Sequence, residues 1–77
     1  MEMFVATFGS GQKGEGHYIL IEAKTREDAR FWMHDNYGDK WCGLYSWDEW
    51  QDWVKMATAI GYPVETMLMK VVAGGAY

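Results

Sequence analysis

Three residues hold all the thiol and imidazole chemistry of this chain: Cys42, His17 and His34. A nucleophilic pair would need Cys42 and one imidazole to meet in space. Cys42 stands in the apolar run Trp41–Leu44, where a buried small hydrophobe is the expected role. His17 and His34 are expected on the surface, at a strand start and on a helix face. No C-x-x-C or H-x-x-x-H spacing occurs, so a closed zinc site lacks its ligand set. Residues 9–14 (GSGQKG) spell G-x-G-x-x-G. The dinucleotide mechanism needs that loop to open a helix, whose free N–H groups hold the pyrophosphate. Here the glycines lead into HYILIEA, a strand pattern, and no Lys-Ser or Lys-Thr follows them. A hairpin loop is the expected role; the functional alternatives are closure on a partner and, behind that, nucleotide binding. Carboxylates are plentiful but scattered, and a short chain hardly builds a cleft that holds two of them across a substrate. The chain is therefore read as a non-enzyme without cofactor or metal.

The acidic residues are more informative as a surface. Asp48, Glu49 and Asp52 lie at i, i+1 and i+4 of a helical pattern, away from its apolar stripe. Asp35 and Asp39 fall around the end of an earlier helix. With the two helices side by side, these five carboxylates would form one negative patch that pairs with a Lys/Arg surface. The plainer account is a solvated helix face with acids near its N-terminus, where the helix dipole favours them. Lys40 and Lys55 dilute the patch. Trp47 sits at the first helical position, off the middle of the stripe. It either staples the helix start to the core or stands exposed beside Asp48 as a binding anchor. Phe31 poses the same choice on the earlier helix.

These residues need elements to hold them. Residues 3–8 (MFVATF) alternate Phe4/Ala6/Phe8 with Met3/Val5/Thr7 and read as a strand. Residues 9–16 (GSGQKGEG) hold four glycines in eight positions and read as a flexible loop. Residues 17–23 form a second strand, with Ile19, Ile21 and Ala23 on one face and Tyr18, Leu20 and Glu22 on the other. Thr25 caps a helix whose stripe is Ala29, Trp32, Met33 and Asn36 or Tyr37, and Gly38 stops it. Residues 40–45 (KWCGLY) read as a third strand. Ser46-x-x-Glu49 is a capping box, and Trp50, Trp53, Val54, Ala57 and Ile60 make a stripe expected to be buried. Gly61 and Pro63 end that helix. Residues 64–72 (VETMLMKVV) read as a last strand, and Gly74, Gly75 and the terminus are expected to fray. The reading is one α+β domain over residues 1–77, in ββαβαβ order: a mainly antiparallel sheet with two helices on one face.

Composition fits this picture. Five Trp, five Tyr, three Phe and six Met give 77 residues a core rich enough to fold, since small domains otherwise need a staple. One cysteine forms no internal disulfide, which fits a reducing compartment. No apolar run is long enough to span a membrane, and MEMFVATF has no basic region of the secretory kind. A cytoplasmic location is expected. The net charge of −4 argues against direct nucleic-acid binding and suits a basic protein partner.

Four segments, TFGSGQ (Thr7–Gln12), YILIEA (Tyr18–Ala23), ARFWM (Ala29–Met33) and GDKW (Gly38–Trp41), together resemble a group of small phage and prophage proteins, mostly of unknown function. The likeness ends near Tyr45; from Ser46 onward the chain resembles no family. It implies an accessory protein made in the cytoplasm of an infected bacterium. Small α/β phage proteins of this kind include anti-CRISPR proteins, which occupy a surface of a defence complex. The resemblance supplies no catalytic residues. The leading expectation is a phage-encoded protein that binds and inhibits or modulates a host protein, with a CRISPR-Cas effector as one candidate. Asp35, Asp39, Trp47, Asp48, Glu49 and Asp52 would be its contact residues. The alternative is a self-associating module, a homodimer joined through an unpaired strand edge or through helices.

Overall fold

Strands β1 (Glu2–Thr7) and β2 (His17–Ala23) pair antiparallel, Glu2 opposite Ala23 and Thr7 opposite Tyr18, in the computed structural model, which describes residues 1–74. The glycine loop between them is a chain of turns. Gln12 N–H donates to Gly9 O (3.1 Å), Glu15 N–H to Gln12 O (3.0 Å) and His17 N–H to Gly14 O (2.9 Å). It delivers the chain straight into β2 and opens no helix, so the G-x-G-x-x-G spacing lacks the helix N-terminus that holds a pyrophosphate.

Helix α1 (Arg26–Tyr37) starts where Thr25 Oγ1 accepts the Asp28 N–H at 3.2 Å. After Gly38 the chain turns, with Lys40 N–H on Tyr37 O (3.0 Å) and the Trp41 indole N–H on Gly38 O (2.9 Å). These bonds keep Lys40 and Trp41 out of the sheet. Strand β3 is therefore Gly43–Ser46, shorter and later than the 40–45 expected from the sequence. It pairs antiparallel with β1, Thr7 opposite Gly43 and Phe4 opposite Ser46. Helix α2 (Trp47–Ile60) follows at once. Its capping box is complete: Ser46 Oγ accepts Glu49 N–H at 3.2 Å and Glu49 Oε1 accepts Ser46 N–H at 2.8 Å. Its far end closes with Gly61 left-handed and Tyr62 N–H on Ala57 O at 2.8 Å, a Schellman arrangement. Strand β4 (Thr66–Val72) pairs parallel with β2 through a bulge at Tyr18/Ile19. The sheet order is β3-β1-β2-β4, mostly antiparallel, and the α+β class and ββαβαβ order hold.

The helices do not share a face, contrary to the arrangement expected from the sequence. Phe4, Ala6, Phe8, Ile19, Ile21 and Ala23 pack against Ala29 and Met33 of α1. Val5 and Leu20, on the other side of the same strands, pack against Trp50 of α2. The reason lies in the connections. β2, β3 and β4 all run parallel to one another, because β1 is antiparallel to both β2 and β3. The chain crosses from β2 to β3 through α1, then returns through α2 to β4 at the opposite edge. Parallel crossovers are almost always right-handed, so reversing the direction of travel moves the helix to the other face.

Each side thus has its own core. Ile19, Ile21, Met33 and Val5 are the largest fully enclosed side chains. Burying each stabilises the fold by roughly 1.5–3 kcal/mol. Trp32, Tyr37, Trp41, Leu44 and Val71 flank the α1 side; Met3, Tyr18, Trp53, Val54 and Val64 flank the α2 side. Asn36 is exposed, leaving Tyr37 as the inward residue of the last α1 turn. Ile60, placed in the buried stripe by its spacing, is 68 % exposed because α2 packs on β1 and β3 and its last turn runs past them. Cys42, expected to be buried, is exposed: it precedes β3 at the sheet edge, where α1 does not reach. His17 and His34 are on the surface. Of the ends expected to fray, Gly75 and the terminus lie outside the described residues. Ala73, just before them, is buried and donates its N–H to Glu22 O at 2.9 Å.

Candidate protein-binding surface

Helix α2 divides its residues cleanly. Trp50 is 4 % exposed and stacks at a tilt on Tyr18, ring centroids 4.9 Å apart. Trp53 is half-buried and meets Tyr62 edge-on at 5.8 Å. Both tryptophans are turned to the protein, so the outer side of α2 belongs to Asp48, Asp52 and Lys55, all exposed. Asp48 and Asp52 form no ion pair among the described residues, where the salt bridges are Arg26–Glu49 and Lys70–Glu22. Trp47 is 39 % exposed beside Asp48, so part of its ring is open to solvent and part is covered. Phe31 on α1 is likewise exposed.

Glu49 is not free in the same way. Its Oε1 accepts both the Ser46 N–H at 2.8 Å and the Arg26 guanidinium at 2.7 Å. The Ser46 N–H above all lowers the carboxyl from its ordinary value of 4.5; desolvation opposes it, and the Arg26 guanidinium and the Ser46 hydroxyl lower it further. A carboxyl lowered in the folded state contributes stability that is complete above its unfolded pKa and is lost as pH falls through the folded one. Glu49→Gln keeps the shape of the cap but removes that titration. Its melting temperature is expected to fall less steeply than that of the parent chain below pH 4.5. Parallel acid limbs in thermal melts of the two proteins would remove the linkage.

The five carboxylates do not merge into the single patch that side-by-side helices would give. Asp35 and Asp39 belong to the C-terminal end of α1, on the other sheet face from α2. Arg26, at the opposite end of α1, is the residue that reaches Glu49. Asp39 also shares an open groove with Lys13 and Lys40, which offset its charge locally. The acidic surface on α2 is therefore Asp48 and Asp52 with Trp47.

Two features had no signal in the sequence pattern. One is a cavity of about 400 Å³ between α2 and the sheet, lined by Thr7, Tyr45, Glu49, Trp50, Trp53 and Glu65. Tyr45 reaches it because β3 alternation puts Tyr45 on the same face as Val5 and Thr7; Glu65 arrives from the loop before β4. The other is the uncovered surface of β4, a strand that the sequence pattern did show but not its exposure. Met67, Leu68, Met69 and Val72 are all exposed, since neither helix packs over that strand. No three His, Cys, Asp or Glu side chains gather as a metal site among the described residues, and no helix there is long and apolar enough to cross a membrane. Comparison with family models, with curated proteins and with solved structures gives no match.

Proposed function

We propose that this chain is a phage-encoded accessory protein that works by binding, in the host cytoplasm, to a basic surface of a host protein and so inhibits or modulates it. A CRISPR-Cas effector is the first target to test, on the strength of the resemblance in residues 7–41. The supporting observation is the outer side of α2. Packing takes up Trp50 and Trp53, while Asp48 and Asp52 stay exposed and unpaired among the described residues, next to the partly open ring of Trp47. Exposed charge of this kind steers association and sets partner choice more than it adds raw affinity. Catalysis has no part in this reading.

The test is Asp48→Lys with Asp52→Lys in one chain, assayed by capture of candidate effectors. Both positions are exposed, so the melting temperature should stay within a few degrees of the parent. Affinity for the partner should fall by roughly tenfold, chiefly through a slower association rate, and should lose much of its salt dependence. Undiminished capture by a folded double variant sinks the α2 surface as the interface.

The β4 edge favours a second reading, self-association. Among the described residues its outer backbone groups have no strand partner, and its side chains include four exposed apolar residues. Such an edge recruits another strand unless it is blunted, and here Lys70 and the bulge opposite Tyr18/Ile19 do some blunting. Light scattering over a wide concentration range decides: a dimer that grows in with concentration supports this reading, and a strict monomer removes it.

A further inference from the structure

The cavity beneath α2 combines two kinds of wall that one class of ligand can satisfy together. Tyr45, Trp50 and Trp53 supply aromatic surface, and Glu65 and the Arg26-paired Glu49 supply carboxylates; among the described residues no Lys, Arg or His is part of the lining itself. An anion would meet the carboxylate of Glu65, which has no ion pair among the described residues, and that of Glu49 beside it. A neutral apolar guest would strip water from those carboxylates and return nothing. A cation with an apolar skin meets both demands, since the faces of Trp and Tyr attract positive charge and the carboxylates complete the neutralisation. We propose that this cavity is a binding site for an organic cation, namely the guanidinium of an arginine side chain presented by a partner.

The structure shows how the site is shaped in advance. Gly43 lies two residues before Tyr45 on the same strand face, and a Cβ on it would come within 2.7 Å of the Tyr45 hydroxyl. The missing side chain is what lets the ring lie back along β3 as a wall. Thr7, the one buried polar residue among the described residues, at 6 % exposure, sits on the cavity's lining. Trp50 is fixed by the α2-side core and Trp53 by its contact with Tyr62. Glu49 already holds one guanidinium, that of Arg26, through Oε1, which leaves Oε2 for another donor. Glu65 forms no ion pair among the described residues and is half-buried. Guanidinium is favoured over ammonium because it stacks on aromatic faces and pairs with a carboxylate through a planar fork. The volume is within the range of roughly 300–1,000 Å³ usual for ligand pockets.

This site deepens the binding reading and rests on it only for the source of the cation. The test is titration of the full chain, followed by two-dimensional NMR, with Nα-acetyl-arginine amide and with the neutral isostere Nα-acetyl-citrulline amide. The arginine probe is expected to give saturable shifts at the Trp50 and Trp53 indole N–H groups and at the Thr7 and Tyr45 amides, with the citrulline probe at least about tenfold weaker. Glu65→Gln lies outside both cores and should weaken the arginine probe roughly two- to fivefold. Equal response to the two probes, shifts gathered at Asp48 and Asp52 instead of the cavity, or no saturable shift at all overturns the proposal. The two readings separate. A chain that binds the arginine probe but loses nothing on reversal of Asp48 and Asp52 keeps the cavity and discards the outer surface; the converse keeps the surface alone.

Discussion

Trp50→Ala is expected to cost roughly 3–5 kcal/mol, the largest loss any single truncation of α2 should produce. The α2-side core has three enclosed side chains, Val5, Leu20 and Trp50, and the tryptophan is much the biggest. It also covers Tyr18 through the stacked contact at 4.9 Å, so its removal opens the strand surface beneath. Small domains have a total stability of about 5–15 kcal/mol, so this loss is a large share of it. In a chain of this length about 1 kcal/mol moves the melting temperature by 4–8 °C, so the variant should melt tens of degrees below the parent. Far-UV circular dichroism melts decide the matter. A drop of only a few degrees would mean that α2 does not depend on this ring, and the outer surface built on that helix would lose its foundation.

The second large effect comes from a single methyl group. An ideal Cβ on Gly14 would stand 2.5 to 2.6 Å from three carbons of the Phe8 ring. The ring cannot simply step aside. Phe8 belongs to the α1-side core and meets Tyr37 edge-on at 5.3 Å. Gly14→Ala therefore overpacks a closed contact and should cost about 1–3 kcal/mol. Urea unfolding should show a lower midpoint with an unchanged slope, because the compactness of the two end states is not altered. An unshifted midpoint would show that the loop leaves Phe8 without cost. The result also bears on the glycine spacing: Gly14 is needed for room beside a ring, which accounts for it without a phosphate.

Local signals carried much of the fold. Thr25, Ser46 and Gly61 end or begin helices through bonds that span a few residues, so the sequence shows them directly. The alternation in β1 and β2 is equally plain. What that alternation meant was harder to see. Val5 and Leu20 are as apolar as Phe4 and Ile21, and a strand apolar on both sides needs cover on both sides. Two helices on one face would have left Val5 and Leu20 in water. Strand order was beyond reach for a different reason: β3 and β4 go to opposite edges, and such placement rests on ladders between residues far apart in the chain.

The site was legible in part. Asp48, Asp52 and Trp47 follow from helical spacing once Trp50 and Trp53 define the inner side. The involvement of Glu49 with Arg26 could not be read, because it needs the start of α1 and the start of α2 to meet at one end of the sheet. Nor could the merging of Asp35 and Asp39 with α2 be ruled out before the helices were placed. Tyr45 and Glu65 come from elements brought together only by the return crossover, and nothing near them in sequence marks them out.

Strand β4 is held by its ladder along β2, by the Lys70–Glu22 pair and by the His17–Thr66 side-chain hydrogen bond, and among its described side chains Val71 is the one that reaches a core. Segments with so little enclosed surface separate from a domain at a fraction of the free energy of full unfolding. Among the described strands β4 is therefore the one whose opening would disturb the enclosed side chains of the two cores least, and Ala73, buried directly after it, is what anchors its far end.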